Sequence, residues 1–132
     1  MGNANSDIVL QSYGRCCRDE QFFEHFYNVF RSKSEDIRNM FTHTDMTEQR
    51  RLLRAGITWM IMHSRGGGRS KLESLGKSHN RHGYNVPPVL YRHWLDALVE
   101  SVAAYDPHYD ATLEQHWRGV MTPGIEIIAS AY

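Results

Sequence analysis

The segment Ser70-Lys71-Leu72-Glu73-Ser74-Leu75-Gly76-Lys77-Ser78-His79 places Leu72, Leu75 and His79 at i, i+3 and i+7. On a helix the imidazole therefore shares the apolar face. A neutral imidazole can offer its free nitrogen to a metal. Upstream, Tyr27 lies on a broad aromatic stripe, Phe41 follows it, and Gln49 precedes Leu53 by about one helical turn. Phenol and carboxamide groups donate hydrogen bonds, while Phe and Leu keep water out. One histidine aimed into an apolar slot, opposite two donors and an aromatic wall, meets the needs of a haem pocket. Haem iron takes a neutral imidazole on one side and leaves the other open to a diatomic gas.

The elements that would position these groups are nearly all helical. Asp7 to about Cys17 reads as a weak first helix with Ile8, Leu10 and Tyr13. Asp19 to about Ser32 is stronger, with Phe22, Phe23, Phe26, Tyr27 and Phe30 on one stripe. A short turn spans Glu35 to Phe41, and Asp45 with Glu48 predicts a capping box for a helix running to about Ser64. After the flexible Gly66-Gly67-Gly68 connector, Ser70 with Glu73 predicts a second capping box, for the histidine helix. Pro87-Pro88 opens a helix carrying Leu90, Tyr91, Trp94, Leu95, Leu98 and Val102. The last helix follows the Asp106-Pro107 turn, and a kink is expected at Pro123. The pattern predicts an all-α fold of six or seven helices.

With 132 residues and no composition shift, a single domain over 1–132 is expected, with 1–6 as a disordered N-terminus. Hydrophobic residues make up 41%, enough for a core that could enclose a cofactor. Fifteen basic and fifteen acidic side chains balance, so no general nucleic-acid or anionic-membrane field is expected. No apolar run approaches the ~18 residues of a membrane span, and no signal-peptide core is visible. Cys16 and Cys17 are adjacent and lack a third partner, which fits reduced thiols and a cytoplasmic setting. No Cys-x-x-Cys-His is present for covalent haem attachment, so haem b would be held non-covalently.

The chain resembles the bacterial single-domain globins and the haem domain of flavohaemoglobins. The matching stretches run from His25-Phe26-Tyr27-Asn28-Val29-Phe30 through Ile37-Arg38-Asn39-Met40-Phe41 to Gln49-Arg50-Arg51-Leu52-Leu53. They continue with Leu75-Gly76-Lys77-Ser78-His79 and Tyr91–Leu98, and end with Trp117 and Pro123-Gly124-Ile125. The resemblance implies a globin-like fold, His79 as the proximal iron ligand and Phe41 as the ring flat against haem. It implies Tyr27 and Gln49 as distal donors, with Leu53, Ile57, Leu75, Tyr91 and Trp94 lining the pocket. Hydrogen bonds from Tyr27 and Gln49 would stabilise the partial negative charge on a bound O2. The natural acceptor for the second nitrogen of His79 is the Leu75 carbonyl, one turn back.

One departure matters. Flavohaemoglobins support the proximal His with a Tyr, matched by Tyr91, and with a Glu in the last helix. This chain ends at Tyr132 before that Glu would come, Glu126 is out of step, and no flavin-reductase domain is present. The expected role is reversible binding of O2, NO or CO, extending to NO oxidation where a separate reductase supplies electrons. The alternative is a gas or redox sensor signalling to a separate partner. A peroxidase would want a titratable distal group, which Gln49 is not. His79 and His82 are too few for a zinc site. His43 and His63 read as surface residues, with a distal swing of His43 onto the iron as the alternative. His82 reads as exposed or near a haem propionate, and Arg50, Arg51 and Arg54 as a solvated helix face from which one could contact a propionate. Met1-Gly2-Asn3-Ala4-Asn5-Ser6 fits an N-myristoylation pattern, which matters only in a host with the transferase.

Overall fold

The computed structural model describes residues 2–132, with side chains from Asn5 onward. Among the described residues there are seven α-helices and no strand. They are α1 (Gly2–Cys16), α2 (Gln21–Ser32), α3 (Glu35–Met40), α4 (Met46–Ser64), α5 (Ser70–His79), α6 (Leu90–Tyr105) and α7 (Ala111–Ser130). Helices α1, α4 and α5 gather on α7, while α2, joined to α3, lies along α6. Trp117, Phe22, Phe26, Ile57, Ile61 and Leu98 are fully buried where these layers meet.

The local signals act mostly as their chemistry requires. Asp45 caps α4 by accepting from the Thr47 and Glu48 amides, and Ser34 and Asp110 cap α3 and α7 through the Ile37 and Leu113 amides. Glu48 turns instead to Arg51, so only the Asp45 half of the expected box forms. The second expected box does not form. Ser70 is the first residue inside α5 rather than its cap, Arg69 occupies the cap position, and Glu73 pairs with Arg69.

Helix α1 begins at Gly2 rather than Asp7, so residues 2–6, expected to be disordered, are helical; Met1 lies outside the described residues. Two contacts explain the longer helix. Ser6 is buried, with its hydroxyl 2.7 Å from that of Ser64, and Asp7 pairs with Arg65. Helix α7 continues through Pro123, with Thr122 Oγ1 donating to the Arg118 carbonyl at 2.6 Å in that turn.

Two glycines set the helix spacing. A Cβ on Gly124 would lie 2.6 Å from Met60 Cγ of α4. A Cβ on Gly76 would lie 2.9 Å from Ala131 Cβ and 3.0 Å from the Ile128 carbonyl oxygen. Helix α5 thus meets the end of α7 backbone to backbone, three residues before His79. The contact at Gly76 involves main chain, which cannot swing aside.

A buried polar network fastens α1 to the end of α6. The Asp106 carboxylate accepts from Ser12 Oγ at 2.6 Å, from Arg15 at 2.7 and 3.0 Å, and from the His108 amide at 2.9 Å. Trp117 Nε1 in turn donates to Ser12 Oγ at 2.9 Å. Burial alone would raise the Asp106 carboxyl, but the bonds from Arg15, Ser12 and His108 outweigh it and hold it at about 2.

Two predictions follow from these contacts. Gly76→Ala should cost about 1–3 kcal/mol, read as a lower urea midpoint with an unchanged slope, because the added methyl must displace main chain. Because the Asp106 carboxyl titrates lower in the folded state than in the unfolded chain, it adds stability that is complete above about pH 4. That contribution, about 2 kcal/mol, is lost as pH falls from about 4 towards 2. Asp106→Asn should therefore weaken the fold at neutral pH and flatten the stability–pH curve in that interval. Parallel curves for the two proteins would show that Asp106 does not set the acid limb.

Candidate functional site

Helix α5 presents His79 at its last position, with Leu72 fully buried and Leu75 half-buried on the same face. The imidazole Nδ1 lies 2.7 Å from the Leu75 carbonyl oxygen and 3.2 Å from Ser78 Oγ. A carbonyl can only accept, so Nδ1 carries the proton and Nε2 keeps its lone pair. Burial lowers the pKa of His79, only partly offset by the bond to Leu75, and so favours the neutral ring. The result is a neutral imidazole of fixed tautomer with one nitrogen free to bind.

The second part of the site lies where α2 meets α4. Tyr27 is only 4% exposed, and its hydroxyl donates to the Gln49 carbonyl at 3.4 Å. The Tyr27 hydroxyl oxygen accepts in turn from Gln49 Nε2 at 3.2 Å. Both bonds are longer than the usual optimum, so little is lost if either donor turns to another acceptor. Burial pushes the Tyr27 phenol up to about 12, although the Gln49 hydrogen bond and the nearby Arg50 charge pull the other way. The hydroxyl therefore keeps its proton throughout the ordinary pH range.

Aromatic packing fixes these positions. The Tyr27 ring meets Phe41 edge-on at 5.4 Å and Phe26 at 5.0 Å, and Phe26 meets Trp94 at 5.7 Å. Phe41, Trp94, Tyr91 and Leu75 are partly buried against the core, whereas Leu53 and Ile57 belong to the buried set. Tyr91, Trp94 and Leu95 share one side of α6. Burial raises the Tyr91 phenol to about 12. Its hydroxyl is not among the partners of His79 Nδ1; Leu75 and Ser78 take that place.

The sequence-expected residues thus fall into two sets, Tyr27 with Phe41 and Gln49, and His79 with Leu75. Between α4 and α5 a cleft of about 460 Å³ is lined by Trp59, Ser70, Lys71, Ser74, Leu75 and Ser78. It flanks the histidine helix without reaching Tyr27 or Gln49. Lys71 Nζ sits 5.4 Å from the centre of the Trp59 ring. Two neighbours of His79 went unnoticed in the sequence. Ser78 donates to the same Leu75 carbonyl at 2.8 Å, and the Tyr84 ring stands edge-on to the imidazole at 6.1 Å. Serine before the histidine and tyrosine five residues after it were the available signals. His43 and His82 are exposed, and His63 is partly so, with Nδ1 3.3 Å from the Gly67 carbonyl. Cys16 and Cys17 are free thiols. No helix among the described residues is long and apolar enough to cross a membrane.

No protein-family model matches the chain, and no curated protein does. A solved crystal structure does: a protein from Pseudomonas aeruginosa PAO1, described as structurally highly homologous to a human hemoglobin. It superposes with a TM-score of 0.95 at 48% sequence identity, over 97% of this chain and 98% of that one. Likeness at that identity and coverage extends beyond shared helix order to the sequence itself, and the chain belongs to the globin family as a bacterial single-domain globin.

Proposed function

We propose that residues 1–132 form a single haem-binding domain that takes up O2 and other diatomic gases, with His79 as the protein ligand to the iron. The observation that carries this reading is the bond from His79 Nδ1 to the Leu75 carbonyl at 2.7 Å. It leaves Nε2 unprotonated, with its lone pair available. Among the described residues no group of three or more His, Cys, Asp or Glu could hold a bare metal ion. One imidazole among apolar and aromatic walls instead suits a metal that brings its own equatorial ligands. Haem b, held without covalent attachment, would supply the iron that coordinates the gas.

The chain's own residues then divide the work. Leu75 and Ser78 hold the imidazole in one tautomer and orientation. Phe41, Leu53, Ile57, Leu75, Tyr91 and Trp94 would offer apolar surface to the macrocycle and exclude water. The Tyr27 phenol and the Gln49 amide donate hydrogen bonds to a gas ligand that gathers negative charge. Such donors favour O2 over CO, which carries little charge. Two reduced thiols fit a cytoplasmic location. Oxidation of NO to nitrate is compatible with this site when a separate reductase returns the electron each cycle. A sensing role would need a partner that reads the change.

His79→Ala should remove the haem absorbance or leave the protein mostly haem-free, with a lower melting temperature, because ligand binding stabilises the folded state by mass action. A normal five-coordinate ferrous spectrum in that variant would overturn the assignment. Tyr27→Phe should raise the O2 off-rate by roughly tenfold or more, as expected for losing a hydrogen bond of about 1–3 kcal/mol, with a much smaller effect on CO. Equal effects on both gases would mean that Tyr27 acts by bulk alone. Mixing the O2-loaded protein with NO and measuring nitrate tests the enzymatic extension, and a turnover assay with added reductase shows whether the cycle repeats.

A further inference from the structure

The overall balance of charge conceals a segregation along the chain. Residues 46–92, which span α4, α5 and the connector into α6, hold nine of the fifteen basic side chains and only two of the fifteen acidic ones. Residues 93–132 hold six acidic side chains and one basic. Both acids of the basic segment are already engaged, Glu48 with Arg51 and Glu73 with Arg69. Lys71, Lys77 and Arg92 are exposed and have no carboxylate partner among the described residues. A neutral chain with its charges sorted in this way has a positive side, which draws acidic surfaces in from a distance.

The same side carries exposed apolar surface. Leu52, Ala55, Trp59 and Met62 follow at i, i+3, i+7 and i+10 on α4, outside the buried positions of that helix. Leu52 is 45% exposed and Met62 38%. At the helical rise this ridge is about 15 Å long. Beside Trp59 opens the 460 Å³ cleft against α5, its far wall carrying Ser70, Ser74 and Ser78. Lys71 reaches over the Trp59 ring from α5. The ridge is too long for one small ligand to cover. A short apolar strip with a polar, charged border is instead the plan of a small, transient protein interface.

We propose that the α4–α5 face docks a small acidic electron-carrier protein, with the Leu52–Met62 ridge at the centre and Lys71 and Lys77 on the border. A carrier seated there would rest on the two helices that frame the proposed site, since Leu52 adjoins Leu53, and Leu75 both lines the cleft and accepts from His79. The reduced carrier would lose one electron and the iron would gain it, with no atom transferred. That step rests on the reading of His79 as the iron ligand; the docking does not.

The test uses the full chain as purified and two acidic carriers, an FMN-loaded flavodoxin and a plant-type ferredoxin. Binding is read by calorimetry and by NMR shifts of the Trp59 indole and the α5 amides. At least one carrier should bind at about 20 mM salt and move these signals, and its affinity should fall about tenfold or more by about 200 mM. Lys71→Glu/Lys77→Glu should weaken binding about tenfold or more, and Leu52→Asp about fivefold. Arg18→Glu/Arg31→Glu makes the same change of net charge outside residues 46–92 and should alter binding less than about twofold. Failure of both carriers to bind at low salt overturns the proposal. Equal weakening by the two double variants overturns it too, because net charge alone would then account for binding. Tighter binding of anionic-lipid vesicles or an RNA oligonucleotide than of either carrier gives the face to a membrane or a nucleic acid and also overturns it. A docked, reduced carrier that leaves ferric haem unreduced overturns electron delivery alone. A parent protein without haem absorbance counts against the haem reading, while calorimetry and the NMR shifts still decide the docking.

Discussion

The histidine that defines the site stands on a helix of ten residues, too short to be stable in water on its own. Its position is therefore a property of what it packs against, and that is the end of α7. Leu72 supplies buried apolar surface, but Gly76 determines the distance, because its missing side chain admits the Ile128 carbonyl and the Ala131 methyl to the helix backbone. A neighbouring helix held by side chains alone could slide or tilt by rotamer changes. One held by main chain against main chain cannot, and the imidazole three residues later inherits that rigidity.

A different kind of contact organises the opposite part of the molecule. Asp106 ends α6 and is buried, yet it satisfies its charge with Arg15, Ser12 and the His108 amide, while Ser12 also accepts from Trp117. Every member has a partner, so the network fixes one arrangement of α1, α6 and α7 without leaving an unpaired buried polar atom. Apolar packing specifies geometry loosely, and hydrogen-bond direction supplies the register. The frame made by α1, α6 and α7 gives α5 a fixed surface to pack on, the end of α7.

Legibility in the sequence followed the range of each interaction. The order of the helices, the aromatic stripe on α2 and the shared face of Leu72, Leu75 and His79 were legible because they are periodic over a few turns. The Asp45 cap was legible because donor and acceptor lie within three residues. The Ser70 cap was misread for a local reason: Glu73 had a nearer electrostatic partner in Arg69, so the helix began one residue earlier than the pattern implied. The Asp106 network was invisible, since Ser12 and Arg15 lie more than ninety positions away and no local pattern links them. The helical start at Gly2 depends in the same way on Ser64 and Arg65. At the site, residue types and spacing pointed to Tyr27 and Gln49, but only the fold shows that they bond to each other.

The partner of His79 bears on what the proposed site could do. A carboxylate on the second imidazole nitrogen would draw its proton away and make the ligand strongly electron-donating, which favours breaking the bond of a coordinated oxygen. Here the partner is a neutral carbonyl, and that carbonyl also accepts from Ser78, which divides its hydrogen-bonding capacity. No acidic residue occurs between Glu73 and Asp96, and both of those are engaged, with Arg69 and Arg118. The Tyr91 hydroxyl does not replace the missing carboxylate at Nδ1. In the proposed site a weakly polarised imidazole and two neutral donors that keep their protons in the ordinary pH range would favour holding a gas over splitting it. Reversible binding is the chemistry that the proposed pairing would suit.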